Sequence, residues 1–194
     1  MSSLYLASQS PRRRELLNQI GVPHTVVNIN VAEVRAVDES PLDYVQRLAR
    51  SKALAGAALF NDKPVLGADT IVVLPQGVEF DVLEKPRDKE HAIAMLISLS
   101  DRQHQVITAV TVCHHRRCET RVNASIVEFR AIDEPTALRY WQTGEPVDKA
   151  GAYGIQGLGS VFVRRITGSY SSVVGLPLFE TTELLTLFNV DYWQ

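Results

Sequence analysis

Short apolar blocks separated by Gly, Pro and Ser run the length of the chain, and the period of each block indicates its element. Leu4-Tyr5-Leu6-Ala7 is a continuous apolar run too short for a helix, and predicts a buried strand. Ser8-Gln9-Ser10-Pro11 then opens a helix carrying Leu16, Leu17 and Ile20. Ser10 suits the N-cap, Pro11 the first helical position and Gly21 the stop. His24 to Ile29 predicts a second strand. The start signal recurs at Ser40-Pro41, and this helix runs to about Phe60 with Val45, Leu48, Ala49, Ala55 and Leu59 on one stripe. Asp43, Gln46, Arg47, Arg50 and Ser51 fall opposite.

Pro64 to Leu74 predicts an apolar strand, Gly77 a turn, and Phe80 to Leu83 another strand. Asp88 to Leu99 is helical in period, with Ile93, Leu96 and Ile97 on one face. Gln105 to Cys113 and Thr120 to Arg130 predict a long hairpin closed by a basic Cys/His segment. Pro135 to Gln142 predicts a helix, Gly151 to Gly159 a glycine-rich stretch, Val161 to Ile166 a strand and Pro177 to Phe188 a last helix. Gly168-Ser169-Tyr170 and Val174-Gly175-Leu176-Pro177 predict tight turns near it. Strands and helices alternate with at least one antiparallel pairing, so the fold class is α/β, a mixed sheet flanked by helices. With 194 residues and no linker or repeat, a single domain over 1–194 is expected.

Composition narrows the function. At 45% hydrophobic and 22% charged, the chain has material for a core without a disulfide staple. A net charge of −2 argues against a generic nucleic-acid coat or a membrane-surface protein. No apolar run is long enough to span a bilayer, and Met-Ser-Ser-Leu-Tyr-Leu-Ala-Ser has neither the basic nor the apolar region of a signal peptide. A reducing interior is therefore expected. Cys113 and Cys118 flank His114-His115-Arg116-Arg117 at a spacing that fits no common zinc site, and read as two small residues beside a turn. The 20 basic residues are 15 Arg and 5 Lys, and Arg is suited to bidentate phosphate contacts.

Local rules fail at three places. Arg12-Arg13-Arg14 puts cations in the first turn of a helix, where the backbone dipole disfavours them. An anion over that end would reconcile Arg12 and Arg13 with Ser8, Ser10 and exposed amides; Arg14 fits a solvated face. Lys52, seven residues after Val45, falls on the apolar stripe, and either snorkels or points into a polar cavity. Asp69 sits in Val-Leu-Gly-Ala-Asp-Thr-Ile-Val-Val-Leu, where a buried carboxylate requires a cation, a metal or hydrogen bonds. A structural pairing with an internal Arg is the alternative. Gly67 and Ala68 remove bulk beside it, consistent with close approach by something other than side chains. Glu33 and Lys85 are weaker signals. Gly151, Gly154, Gly157 and Gly159 bracket Gln156, whose amide both donates and accepts and so suits a base edge. The run matches neither a P-loop nor a Rossmann turn.

The ordered series Ser8-Gln9-Ser10-Pro11-Arg12-Arg13, Glu33, Lys52, Gly67-Ala68-Asp69-Thr70, Glu84-Lys85-Pro86, Ala150 to Gly157 and Val174-Gly175-Leu176-Pro177 resembles the Maf family of nucleotide pyrophosphatases. The resemblance implies a fold related to inosine triphosphate pyrophosphatases, with two lobes around a deep cleft. It also implies a cytoplasmic location, dependence on a divalent metal (Mg²⁺ or Mn²⁺) and a homodimer as the family expectation. Arg12, Thr70 and Gln156 are similar to the branch that hydrolyses dTTP and UTP; the branch acting on 7-methyl-GTP tends to carry Trp, Gln and Glu there.

On this reading a nucleoside triphosphate is hydrolysed to the monophosphate and pyrophosphate. Asp69 is the general base, Glu33 and Asp69 hold the metal, and Ser8, Ser10, Arg13, Lys52 and Lys85 bind phosphate oxygens. Arg12, Thr70 and Gln156 set base selectivity. No nucleic-acid or membrane partner is expected. Two alternatives stay open: a non-catalytic nucleotide-binding regulator of cell division, and a single-strand nucleic-acid binder using Arg12 to Arg14 with Arg116-Arg117. The second lacks a regular aromatic platform.

Overall fold

Residues 3–77 and 79–193 are described by a computed structural model in which every helix and strand predicted above forms. Met1 and Ser2, used in the signal-peptide reading, lie outside the described residues. The strands are β1 (Leu4–Leu6), β2 (His24–Val26), β3 (Val65–Gln76), β4 (Glu79–Leu83), β5 (Gln103–His114), β6 (Arg117–Phe129) and β7 (Val163–Thr167). The helices are α1 (Pro11–Gln19), α2 (Pro41–Leu59), α3 (Lys89–Leu99), α4 (Glu134–Gln142), α5 (Tyr170–Val174) and α6 (Leu178–Leu187). One sheet runs in the order β2-β1-β3-β5-β6-β7, with β4 paired to β3. It is mixed: β1 is parallel to β2 and β3, whereas β3/β4 and β6/β7 are antiparallel. The chain clusters into two compact units, one of residues 1–69, 108–123 and 175–194, the other of residues 70–107 and 124–174.

In the first unit, α2 packs against β3 through missing side chains. A Cβ on Gly56 would lie 2.7 Å from Val65, and one on Gly67 would lie 2.5 Å from the Ala53 nitrogen and 2.6 Å from the Ala49 oxygen. One helical turn rises ~5.4 Å and two strand residues ~6.6 Å, so moving back one turn along α2 keeps pace with moving two residues along β3. That register carries Lys52 to Asp69. The bulk absent at Gly67 therefore admits the backbone of α2. The buried stripe is Val45, Leu48, Ala49, Ala53 and Gly56. Leu59, expected on it, is exposed; at this end of the helix Ala57 and Phe60 pack inward instead, against Ala7, Val27 and Val65.

The second unit has its core between α3, α4 and the facing strands, around Val72, Leu74, Leu96, Phe129, Tyr140 and Phe162. The buried face of α3 is Ala92, Met95, Leu96 and Leu99; Ile97 is exposed and Ile93 partly buried, which corrects the predicted face. The observed set keeps the 3–4 spacing over two full turns, a more continuous apolar line than the one through Ile93 and Ile97. His104 is buried against Phe129 and Tyr153, with its Nε2 2.9 Å from the Tyr153 hydroxyl. Burial pushes its pKa down to about 3.

Two further expectations change. Val161 and Phe162 close a 3₁₀ turn (Leu158–Phe162) rather than opening β7, and Tyr170–Val174 forms α5 between left-handed Gly168 and Gly175 instead of a bare turn. Cys113 and Cys118 are joined as a disulfide across the β5–β6 hairpin, with Cα atoms 4.2 Å apart, and so are not merely two small residues. Opposed positions in a two-residue hairpin come that close wherever the backbone pair lacks ladder hydrogen bonds.

Candidate active site

The N-terminus of α1 is built unlike those of its neighbours. Ser40, Asp88 and Asp133 each accept a backbone N–H at the start of α2, α3 and α4, and each of those helices has an acid in its first turn. Ser10 occupies the N-cap of α1 but makes no side-chain cap, and no acid lies in the first turn. The neighbouring hydroxyl does other work: Ser8 Oγ accepts from the Ser10 N–H at 3.2 Å and from Arg13 at 3.1 Å. Arg13 is 9% exposed, and its Nε donates to the Gly175 carbonyl at 2.8 Å. Burial lowers its pKa; the Asp69 charge opposes that shift, Arg12 adds to it, and Glu33 opposes it. Arg12 is half-buried and Arg14 exposed, as expected of a solvated face.

Lys52 does not snorkel. Its ammonium lies 2.7 Å from Asp69 Oδ1 and 2.5 Å from Glu33 Oε1, and its side chain is only 13% exposed. One cation is thus shared by two carboxylates. Asp69 is 7% exposed at the buried centre of β3. Burial raises its pKa, and the charges of Lys52 and Arg13 with the Lys52 hydrogen bond oppose that rise without cancelling it; Glu33 adds to it. The result is a carboxylate that holds a proton more readily than usual. Ser8, Arg13, Glu33, Lys52 and Asp69 all belong to the first unit.

The loop bearing Glu33 is fastened by a pair the sequence reading missed. Arg47 reaches from α2 to both oxygens of Glu39, at 2.6 and 2.8 Å, and to the Val34 carbonyl at 2.9 Å. That bidentate contact holds Glu39 down to about 2. A Glu and an Arg eight residues apart, on either side of a helix start, make no recognisable pattern until the loop folds back.

Lys85, Thr70 and Gln156 belong to the second unit. Lys85 is exposed just after β4, beside Glu84, whose carbonyl accepts the Gly151 N–H at 3.2 Å; that bond ties the end of β4 to the glycine-rich segment. Thr70 is half-buried on β3. Gln156 is exposed in the turn closed by Gly157 N–H to the Gly154 carbonyl at 3.4 Å. The glycines there answer to a packing demand. A Cβ on Gly157 would lie 2.2 Å from Glu145 Oε2, and one on Gly159 2.5 Å from the Tyr140 hydroxyl. Only Gly151, at φ +68°, needs the left-handed region. Burial raises the Glu145 pKa, but hydrogen bonds from Gly159, Tyr140 and Leu158 and the Lys149 charge outweigh it and leave the carboxyl below its usual range.

Comparison with known proteins follows the same lines. The family described as Maf-like protein matches residues 3–188. The chain is 57% identical to a dTTP/UTP pyrophosphatase of Saccharophagus degradans over all of this chain and 92% of that one. It is 54% identical to a dTTP/UTP pyrophosphatase of Escherichia coli O157:H7, covering 97% of this chain and 94% of that one. A dTTP/UTP pyrophosphatase of Vibrio cholerae is 55% identical, over 97% and 99% respectively.

Proposed function

This chain belongs to the Maf family, and we propose on that premise that it hydrolyses dTTP and UTP to the nucleoside monophosphate and pyrophosphate. One observation carries the reading: Lys52 is shared between Asp69, which is buried, and Glu33, which is exposed, in the unit where Arg13 is buried too. A cation held between two acids, with a second buried cation near, is a costly arrangement for structure alone, and a triphosphate repays it.

In the proposed reaction a water oxygen bonds to the α-phosphorus while the bond to the bridging oxygen of the β-phosphoryl group breaks, and pyrophosphate departs. Asp69 accepts the water proton. Arg13 and Lys52, with Lys85, Ser8 and Ser10, bind phosphate oxygens, and their charge offsets what accumulates on the leaving group. Gln156 pairs with the N3–H and carbonyl edge of the pyrimidine, and Arg12 and Thr70 complete base selectivity.

Asp69 and Glu33 offer hard oxygen donors suited to Mg²⁺ or Mn²⁺. No group of three or more His, Cys, Asp or Glu gathers among the described residues. This donor set fits an ion that uses one or two carboxylates and takes its other ligands from water and phosphate. When bound there, such an ion supplies Lewis-acid polarisation and charge neutralisation at the phosphates. The proposal carries with it the cytoplasmic setting and the homodimer implied by the family. No helix among the described residues is long and apolar enough to cross a membrane.

The test is to incubate purified protein with dTTP or UTP and Mg²⁺ or Mn²⁺ in H₂¹⁸O. Monophosphate carrying one ¹⁸O and unlabelled pyrophosphate are the expected products. Release of orthophosphate, or saturable binding without turnover, would overturn the reading; the latter outcome favours a nucleotide-sensing regulator.

A further inference from the structure

Glu145 belongs to none of the motifs that carry the family resemblance, yet residues 154–159 of the glycine-rich segment are hung on it. Its carboxylate accepts hydrogen bonds from the Tyr140 hydroxyl at 2.7 Å, the Leu158 N–H at 2.8 Å and the Gly159 N–H at 2.9 Å. The Tyr140 oxygen in turn accepts the Gly154 N–H at 3.0 Å. Lys149 closes the other side, donating to the Glu145 carbonyl at 2.7 Å. The carboxylate therefore fixes the chain at 158–159 directly and at 154 through Tyr140, on either side of the three residues Ile155, Gln156 and Gly157 at the crest of the turn.

Gln156 itself is exposed, and its side chain makes no hydrogen bond among the described residues. Where its amide is presented is thus set by the backbone beneath it. A long side chain on a loose turn would forfeit much of a base contact to ordering entropy; on a pinned turn less is lost. Gly154, Gly157 and Gly159 are the residues that let the chain wrap this closely around Glu145 and Tyr140.

We infer that Glu145 is a positioning residue for nucleotide selection: its carboxylate holds residues 154–159 so that Gln156 meets the base edge, without itself touching substrate. This rests on the reading of Gln156 given above. The measurement compares kcat/KM for UTP with that for ribose 5-triphosphate, which has the phosphates and no base, in full-length wild type, Gln156→Ala, Glu145→Ala and Glu145→Gln. The ratio isolates the base contact.

Gln156→Ala is expected to lower the ratio by about 10-fold, the scale of the net worth of a lost hydrogen-bonded contact at an exposed site. Glu145→Ala should lower it comparably and through KM for UTP. Glu145→Gln should fall between, because it keeps one acceptor oxygen but turns a donor toward another N–H. The double variant Glu145→Ala/Gln156→Ala should be no worse than Gln156→Ala, since both act through one contact. A merely structural role would reduce active protein equally toward both compounds, leaving the ratio at the wild-type value, and that result overturns the inference. Should Glu145→Ala fail to fold, Glu145→Gln is judged by the same ratio. If Gln156→Ala itself leaves the ratio unmoved, the reading of Gln156 fails; if it lowers the ratio and the Glu145 variants do not, only the inference fails.

Discussion

Gly67 on β3 meets the backbone of Ala53 on α2 so closely that a methyl group there would lie 2.5 Å from the Ala53 nitrogen. The atoms in the way belong to helix backbone, which cannot rotate aside as a side chain can. This contact sets how near α2 comes to β3, and with it whether Lys52, one residue before Ala53, reaches Asp69, two residues beyond Gly67. A substitution far too small to alter charge should therefore disturb both stability and chemistry.

Gly67→Ala is expected to cost about 1–3 kcal/mol of stability, as overpacking of a filled core does, and to reduce turnover together with it. Urea denaturation and steady-state rates measure the two. Wild-type stability in this variant would show that α2 does not abut β3 at Gly67.

Asp69→Asn should lower turnover by ~10²-fold or more while nucleotide binding is retained, if the carboxylate takes the proton. Near-normal turnover by a pure preparation removes Asp69 from that role; isothermal titration with a nonhydrolysable analogue supplies the binding half of the comparison.

The acid limb of kcat/KM should report Asp69. The base works only when ionised, so activity falls as pH drops through its pKa, which burial raises above the usual carboxylate range. The Glu33 charge adds to that rise, so Glu33→Gln should move the limb to lower pH. Lys52 opposes it, so Lys52→Met should move the limb upward, whatever either change does to the maximal rate. Limbs that stay in place, or shift with opposite sign, would assign the titration to another group.

His104 should make folding acid-sensitive. Its folded pKa is about 3 against an ordinary 6.5, so the unfolded chain binds the extra proton between those values. Stability attributable to it is complete above pH 6.5 and declines as pH falls toward 3, by roughly 1.4 kcal/mol per pH unit within the window. His104→Gln should flatten the fall in urea midpoint between pH 6 and pH 4.5 relative to wild type. Parallel curves for the two proteins would count against a buried neutral imidazole.

The Cys113–Cys118 link should be visible as chemistry. Native protein is expected to show no titratable thiol until reduced, then two. Closing so short a loop is worth about 2 kcal/mol by chain entropy, and reductant or Cys113→Ser/Cys118→Ser should lose up to that amount. Two thiols reacting in the untreated protein would mean the hairpin is unbridged.

Much of this was legible in sequence. The Ser-Pro pair starting α2, and Ser10-Pro11 starting α1, marked helix starts because proline needs no intrahelical donor there. Lys52 and Asp69 stood out because each breaks the polarity of its element, and they proved to be partners. What failed did so for identifiable reasons. Leu59 has the right period, but Ala57 and Phe60 turn inward at that end of α2 in its place, and Ile97 competed with a better-spaced apolar line. The glycines around Gln156 drew notice for their number, but Glu145, which they wrap, is an ordinary acidic residue opening a 3₁₀ turn (Glu145–Asp148) and gave no signal.

Periodicity and the placing of Gly, Pro and charge are properties of the chain within a few residues, so the sequence by itself determined the elements, the mixed α/β class and the residues whose polarity is out of place. The sharing of Lys52 between Asp69 and Glu33, the Glu39–Arg47 clasp and the suspension of residues 154–159 from Glu145 were decided by tertiary structure alone. Each of these depends on how closely two backbones approach and in what register, and that distance is fixed only when both elements pack.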